Sequence, residues 1–331
     1  MKIMFIGAGG YLSVEPLKGL LYKGFDVCAI GGDDPGPSPG ANPEPNPEPN
    51  AGSNHQSFAG IALIDTRINV CHESTVSLAR AHRIPFISLA IEKSGIEKQG
   101  SDKAKNIREI RYYQPDLIIV SCYSKRLPAE IIAIPRLGCY NIHPSLLPAY
   151  RGPDPLFWQL KAGEKKLGVT IHRVTETFDS GDILNQKPLH LMNGVSLAQA
   201  NEYFAKVATD LLLEVLADFE TFQRCETAQV DDLSINHAAE IQPSYQSYAQ
   251  SRDFEVSVSW TAQRMYNFIC AFWQAGRYFN CCINNEVFQL GKALSFDPFG
   301  KLDVPYLIDS QRITFACASG FIQCQLVHYH L

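Results

Sequence analysis

Long apolar runs are missing from this chain. No stretch of its 331 residues approaches the roughly 20 consecutive apolar residues that span a bilayer. The opening apolar run, residues 1–7, is too short for a secretory signal and lacks a small-residue cleavage site, so we expect no membrane association. Paired cysteine spacing is missing too. The ten cysteines include no CxxC and only one adjacent pair, Cys281 and Cys282. That pattern fits neither a metal site nor a disulfide framework, and predicts reduced, mostly buried thiols, no metal and a cytoplasmic location. An excess of one charge sign is also lacking. A net charge of -5 and a pI near 6.0 give no global pull toward nucleic acid or anionic lipid. Lys and Arg are absent altogether from residues 31–64, where Asp33, Asp34, Glu44 and Glu48 carry the charge.

What is present is enough apolar residue for a large core. Hydrophobic residues make up 46% and charged residues 19%, and the length suits two domains. Residues 2–6 read as a buried strand and end in a glycine turn at Gly7, Gly9 and Gly10. A helix over 16–23 and a strand over 26–30 follow. Residues 31–57 are rich in Gly, Pro and Asn, with a repeated Asn-Pro-Glu-Pro, so they predict an extended excursion rather than a helix or a central strand. Helical patterns over 78–82 and 107–113 alternate with strands over 85–89, 116–121 and 138–143. That alternation predicts an α/β fold with a doubly wound, mainly parallel sheet. In such sheets ligands gather outside the carboxyl ends of the strands. A further strand over 168–174 and a long helix over 196–220 complete the first domain, residues 1–225. Residues 226–251 are polar and irregular and read as a linker. Residues 252–331 predict a small β-barrel-like domain: a strand at 256–260, a helix over 261–272, then short strands at 279–283, 287–290, 293–296, 312–317 and 321–327.

One constellation carries chemistry. Asn141 and His143, two apart on a strand, project from the same face. Asp179 lies in the loop Phe178-Asp179-Ser180-Gly181-Asp182 and is placed to fold back onto that face. A carboxamide and an imidazole supply donors for a developing oxyanion, and a carboxylate orients the imidazole, so the trio suits acyl transfer. The motif holds no nucleophile, which leaves the attack to a substrate group such as an amine. The bland alternative is a strand end, a packed histidine and a turn-opening aspartate.

The segments Asn141-Ile-His143-Pro-Ser-Leu-Leu-Pro148, Tyr150-Arg151-Gly152, Gly168-Val-Thr-Ile-His172 and Phe178-Asp179-Ser-Gly-Asp-Ile183 resemble the folate-dependent formyltransferase family. That family includes the methionyl-tRNA, glycinamide ribonucleotide and sugar N-formyltransferases. The resemblance runs from residue 1 to about residue 220, and continues more weakly in the tail at Val258-Ser-Trp260 and residues 266–272. It implies that the substrate amine attacks the formyl carbon of 10-formyltetrahydrofolate. His143 as imidazolium and Asn141 would hold the tetrahedral oxygen, and Asp179 would raise the pKa of His143. It places folate beside Tyr123, Ser124, Lys125, Arg126 and Leu127, and beside Thr175, Glu176, Thr177 and Phe178. Lys125 and Arg126 stand where most relatives are apolar, and either meet the glutamate tail of folate or are solvated. Arg151 binds an anionic acceptor or pairs internally with Asp154, and Gly152 permits a close approach or a positive φ. Both are candidate acceptor contacts.

Other motifs carry less. The turn Gly7-Ala-Gly-Gly10, with Asp33 or Asp34 as the ribose acid, suggests a dinucleotide site, but Leu12 stands where the third glycine belongs. His172 alternates with the strand core and reads as packed or as support for the site. His328 and His330 have metal-like spacing but no third partner.

The acceptor is the open question. The methionyl-tRNA enzymes carry a basic loop where residues 31–64 have no Lys or Arg, and phosphate contacts come mostly from those residues. A small amine, such as an amino sugar linked to a nucleotide, is therefore expected ahead of methionyl-tRNA. Water, giving a formyltetrahydrofolate hydrolase, and a non-catalytic folate- or partner-binding role are lesser alternatives. A homodimer is left open.

Overall fold

In a computed structural model, residues 1–33, 73–89, 101–229, 241–273 and 277–329 are described. The proline-rich excursion beyond residue 33, Asp34 and the side chains of the 328 and 330 histidine pair lie outside the described residues.

The first half alternates as the sequence predicts. β1 (Lys2–Gly7), α1 (Tyr11–Tyr22), β2 (Asp26–Gly32), α2 (Thr75–Ala81), β3 (Phe86–Ser88), α3 (Ser101–Tyr113), β4 (Leu117–Ser121), α4 (Ala129–Ile132) and β5 (Cys139–His143) follow one another. Next come α5 (Pro155–Ala162), β6 (Leu167–Arg173), β7 (Ile183–Leu189), α6 (Leu197–Ala217) and α7 (Phe219–Arg224). The sheet order is β3-β2-β1-β4-β5-β6-β7. β3 through β5 pair in parallel, and β6 and β7 add antiparallel. The mainly parallel α/β sheet is thus present. β1 alternates Ile3 and Phe5 into one core cluster and Met4 and Ile6 into the other, so both sheet faces are covered.

Several boundaries differ from the pattern reading; α3, for instance, begins at Ser101, six residues before the expected start, and the strand expected at 256–260 stops at Ser257. α1 begins at Tyr11, five residues before the expected start, and carries Pro16 as its sixth residue. The N–H that Pro16 lacks leaves the Leu12 carbonyl without its helical donor, and the Ser121 hydroxyl donates to that carbonyl instead. The expected helix over 196–220 splits at Asp218 into α6 and α7. β7, which the alternation did not reveal, interrupts its apolar positions with Asn185, Gln186 and Lys187.

The second half holds β8 (Val256–Ser257), α8 (Ala262–Trp273), β9 (Phe279–Ile283), β10 (Glu286–Asp297), β11 (Tyr306–Asp309), β12 (Arg312–Ala316) and β13 (Phe321–Tyr329). These strands form a second sheet, in the order β11-β12-β13-β10-β9-β8, so the β-rich tail is there. The two strands expected at 287–290 and 293–296 are one long strand, β10, whose register shifts against β13 around Leu290 and Ala293. The shift between Leu290 and Ala293 spans Gly291, where the pattern reading broke the strand.

One core cluster runs through both halves. Phe157 of α5 meets Phe254, Phe268 and Phe272 at ring separations of 5.0–5.6 Å, and Phe279 stacks beyond them. Aromatic pairs at such distances favour tilted or edge-on contacts, and most of these are tilted or T-shaped.

Candidate functional site

The order 3-2-1-4-5 reverses direction between β1 and β4, and a crevice opens at the carboxyl ends of the strands at such a switch point. A cleft of about 620 Å³ lies there. It is lined by the turn after β1, by the loop after β4, by the end of β5 and by the loop between β6 and β7.

Asn141 and His143 reach this cleft from the last residues of β5, on one face as period two requires. Asp179 comes from the loop between β6 and β7. Gly181, in the same loop, lies so close to β6 that a Cβ there would sit 2.1 Å from the Arg173 carbonyl, which presses the loop onto the site. Asp179 itself has φ 53, a left-handed conformation that aspartate tolerates better than most residues.

The three side chains converge. The His143 Nδ1 lies 3.6 Å from Asp179 Oδ1, near but beyond hydrogen-bond range. The Gly152 N–H donates to Asp179 Oδ2 at 2.9 Å, and Asn141 Nδ2 lies 3.4 Å from Asp179 Oδ1. His143 Nε2 stands 2.9 Å from the Tyr150 carbonyl. A carbonyl only accepts, so Nε2 carries the proton and Nδ1 is the nitrogen that gains or loses one.

His172 joins the site, a role that alternation alone could not distinguish from packing. It sits opposite Asn141 in the β5–β6 pairing. Its Nε2 is 3.2 Å from Asn141 Nδ2 and 3.4 Å from Asp179 Oδ1, and its Nδ1 donates to the Arg173 carbonyl at 2.9 Å. The Asn141 amide is therefore oriented from behind. Gln229 is a second unforeseen contributor. Its Nε2 donates to the carbonyls of Asp179 and Gly181 at 3.0 and 2.7 Å, which ties down the loop that carries the acid.

The electrostatics correct one expectation. The resemblance implied that Asp179 keeps His143 charged. Instead burial is the larger influence and pushes the His143 pKa below its ordinary 6.5, outweighing the upward pull of Asp179. His143 is neutral at rest. For Asp179, burial alone would raise the carboxyl, but the two histidines and the Gly152 N–H override it and hold it well below the usual carboxylate range. At neutral pH the site thus sets the Asp179 carboxylate beside the neutral, buried His143.

The expected folate loops flank the trio. Tyr123, Ser124, Lys125, Arg126 and Leu127 line the cleft, as do Thr175, Thr177 and Phe178, whereas Glu176 is not among its lining residues. Lys125 is not simply solvated. It is mostly buried and ion-paired with Asp33 at 2.7 Å. That pairing also gives Asp33 a partner other than a ribose. Arg126 stacks over Phe178 with its guanidinium 5.2 Å from the ring centre, which links the two loops. Gly152 lines the cleft but Arg151 does not. The Arg151 guanidinium bonds Gln229 Oε1 at 2.6 and 3.1 Å, which makes it part of the scaffold that holds the Asp179 loop.

Residues 53–216 match the formyl transferase family profile. The chain is 30% identical to a methionyl-tRNA formyltransferase of Thermotoga maritima over 196 residues, 59% of this chain and 57% of that relative. It thus spans a little over half the length of that curated relative. Two solved structures share the fold across the whole chain. One is WlaRD, a sugar 3N-formyl transferase crystallised with dTDP and 5-N-formyl-THF (TM-score 0.59, 16% identity, 100% of this chain and 99% of that chain). The other is an N-formyltransferase from Helicobacter canadensis in complex with folinic acid and dTDP-3-aminofucose (TM-score 0.58, 15% identity, 99% and 100%). With the matched profile lying over the strands and loops that bring Asn141, His143 and Asp179 together, the chain belongs to the folate-dependent formyltransferase family.

Proposed function

We propose that the protein is an N-formyltransferase, which moves the formyl group of 10-formyltetrahydrofolate onto the amine of a small acceptor such as a nucleotide-linked amino sugar. The convergence of Asn141, His143 and Asp179 at the floor of a cleft walled by both expected folate loops carries this reading. The folate supplies the formyl carbon and leaves with a proton on the nitrogen that carried it.

The protein's part follows from its protonation states. His143 Nε2 is engaged by the Tyr150 carbonyl and Nδ1 lies 3.6 Å from Asp179; among the described residues no hydroxyl or thiol is hydrogen-bonded to either nitrogen, so the attack is left to the substrate amine. Neutral His143 accepts the amine proton at Nδ1. The imidazolium that forms is stabilised by the adjacent Asp179 carboxylate and returns the proton to the leaving nitrogen. The charged histidine is thus an intermediate state rather than the resting one. Asn141 Nδ2 holds Asp179 only at 3.4 Å, a weak bond that is readily exchanged for the tetrahedral oxygen. Leu12, Val120 and Leu127 give the cleft apolar walls suited to a flat heterocycle, and Asn141 and Thr175 add polar groups.

The acceptor reading rests on residues 31–64, which hold no Lys or Arg to meet RNA phosphates. The whole-chain likeness to two sugar N-formyltransferases supports it. A second reading, methionyl-tRNA formyltransferase, is favoured by the 30% identity to the Thermotoga enzyme. The test is release of tetrahydrofolate from 10-formyltetrahydrofolate with dTDP-linked amino sugars and with initiator methionyl-tRNA in separate assays. His143→Ala is the control. Turnover with an amino sugar supports the first reading and turnover with tRNA the second. Turnover that survives in His143→Ala defeats both.

A further inference from the structure

The segment that joins the two halves is fastened to the catalytic site. Its described residues begin at 241, and five hydrogen bonds tie it to residues 150–158. Tyr150 N–H donates to Ser244 Oγ at 2.8 Å, Arg151 N–H to the Ser244 carbonyl at 2.9 Å, and Gln246 N–H to the Arg151 carbonyl at 2.8 Å. Trp158 Nε1–H donates to the Ser247 carbonyl at 2.8 Å, and the Ala249 N–H to Asp154 at 3.2 Å. The same stretch contains Gly152, whose N–H holds Asp179. The segment's position is therefore linked to that of the catalytic acid.

With the backbone anchored in this way, two large rings keep much of their surface exposed. Tyr245 is 60% exposed and Tyr248 41%, and both line the catalytic cleft, with the buried Phe272 in the same cleft. A ring that is apolar on its face and polar at its tip suits a surface that is wet until a ligand arrives. Residues 241–251 carry no charged side chain, so the segment offers ring faces and not phosphate contacts. The folate reading already occupies the loops at 123–127 and 174–178.

Resting on the formyl-transfer reading, we infer that Tyr245 and Tyr248 form a stacking platform for the base of a nucleoside-linked amine, and so position the acceptor. Stacking uses the π face that every base has, so it tolerates different bases. A thymidine-linked amino sugar and the terminal adenosine of an aminoacyl-tRNA offer the same chemistry, an amine tethered to a nucleoside.

The test is direct binding to the full-length protein without formyl donor, using dTDP and initiator methionyl-tRNA as separate probes. Tyr245→Ala, Tyr248→Ala and the corresponding Phe variants are compared with the wild type, and thermal melts check folding. The expected result is that at least one probe binds, that the Ala variants weaken it about 5- to 150-fold, and that the Phe variants stay near the wild type. Binding confined to dTDP identifies a nucleotide sugar, and binding confined to tRNA identifies the aminoacyl end. For dTDP the affinity should change little with salt, since rings and not cations hold the base. Failure of both probes to bind, or affinity unchanged in both folded Ala variants, overturns the platform. Tyrosine-dependent binding without tetrahydrofolate release by the wild type would instead sink the formyl-transfer reading and leave the platform standing.

Discussion

The proposed mechanism turns on the protonation of one histidine. His143 donates an Nε2–H hydrogen bond to the Tyr150 carbonyl and is buried, which pushes its pKa below the ordinary 6.5. In its proposed role as proton acceptor it must be neutral, so kcat should fall as the pH drops below 6.5, with its acid midpoint under that value. A resting imidazolium would give the reverse, a fall as the pH rises. A pH–rate profile at saturating substrates separates the two, and nitrogen-15 NMR of the labelled histidine should find the Nε2–H tautomer at pH 7.5. Protonating His143 is opposed in the folded state and free in the unfolded chain. Its contribution to stability is therefore complete above pH 6.5 and is lost as the pH falls toward the depressed folded value. Asn141→Ala should lower kcat about 10²–10³-fold, the usual effect of losing one oxyanion donor, with little change in folate affinity. Steady-state kinetics with each substrate varied in turn would show whether the loss falls on kcat.

Between elements, a single glycine joins the acid loop to the connecting segment. Gly152 has φ 104, and a Cβ there would lie 2.1 Å from the Gln246 carbonyl, inside any van der Waals contact. Gly152→Ala must therefore move residues 244–246 or the backbone at 152, and either shift pulls the N–H away from Asp179. The expected cost is about 1–3 kcal/mol of stability together with a loss of turnover. A urea titration run beside the kinetics should show both falling; stability intact with turnover unchanged would disprove the coupling. α6 offers a simpler case. Ser196 and Gln199 cap its N-terminus reciprocally, so Ser196→Ala should cost about 1 kcal/mol by the same titration.

At the scale of the molecule, the aromatic cluster joins halves that the sequence divides at a linker. Phe268 of α8 lies in contact with Phe157 of α5 and with Phe254, Phe272 and Phe279. Truncating it leaves a cavity in a core that both halves share. Phe268→Ala should destabilise the protein by roughly 3–5 kcal/mol and keep one cooperative unfolding transition. Calorimetry that resolves two transitions in the wild type would show instead that the halves melt separately. Glu226 belongs to the same theme. Placed in the expected linker, it takes both a Tyr140 and an Arg173 hydrogen bond behind β5 and β6, so that stretch stiffens the sheet that carries the site.

The residues themselves determined the strand–helix alternation, because burial on both sheet faces writes apolar runs that can be read locally, as in β1 and β4. They also pointed to the candidate trio, since Asn141, His143 and Asp179 sit in segments whose types and spacing are specific. Tertiary structure alone decided the rest. Whether His172 supports the site depends on its register opposite Asn141, and strand pairing leaves no trace in a single strand's pattern. Whether Lys125 is solvated depends on Asp33 lying 2.7 Å away from a different strand end. The resting charge of His143 follows from burial, a property of everything packed around the ring, which outweighs the one neighbour that the motif names.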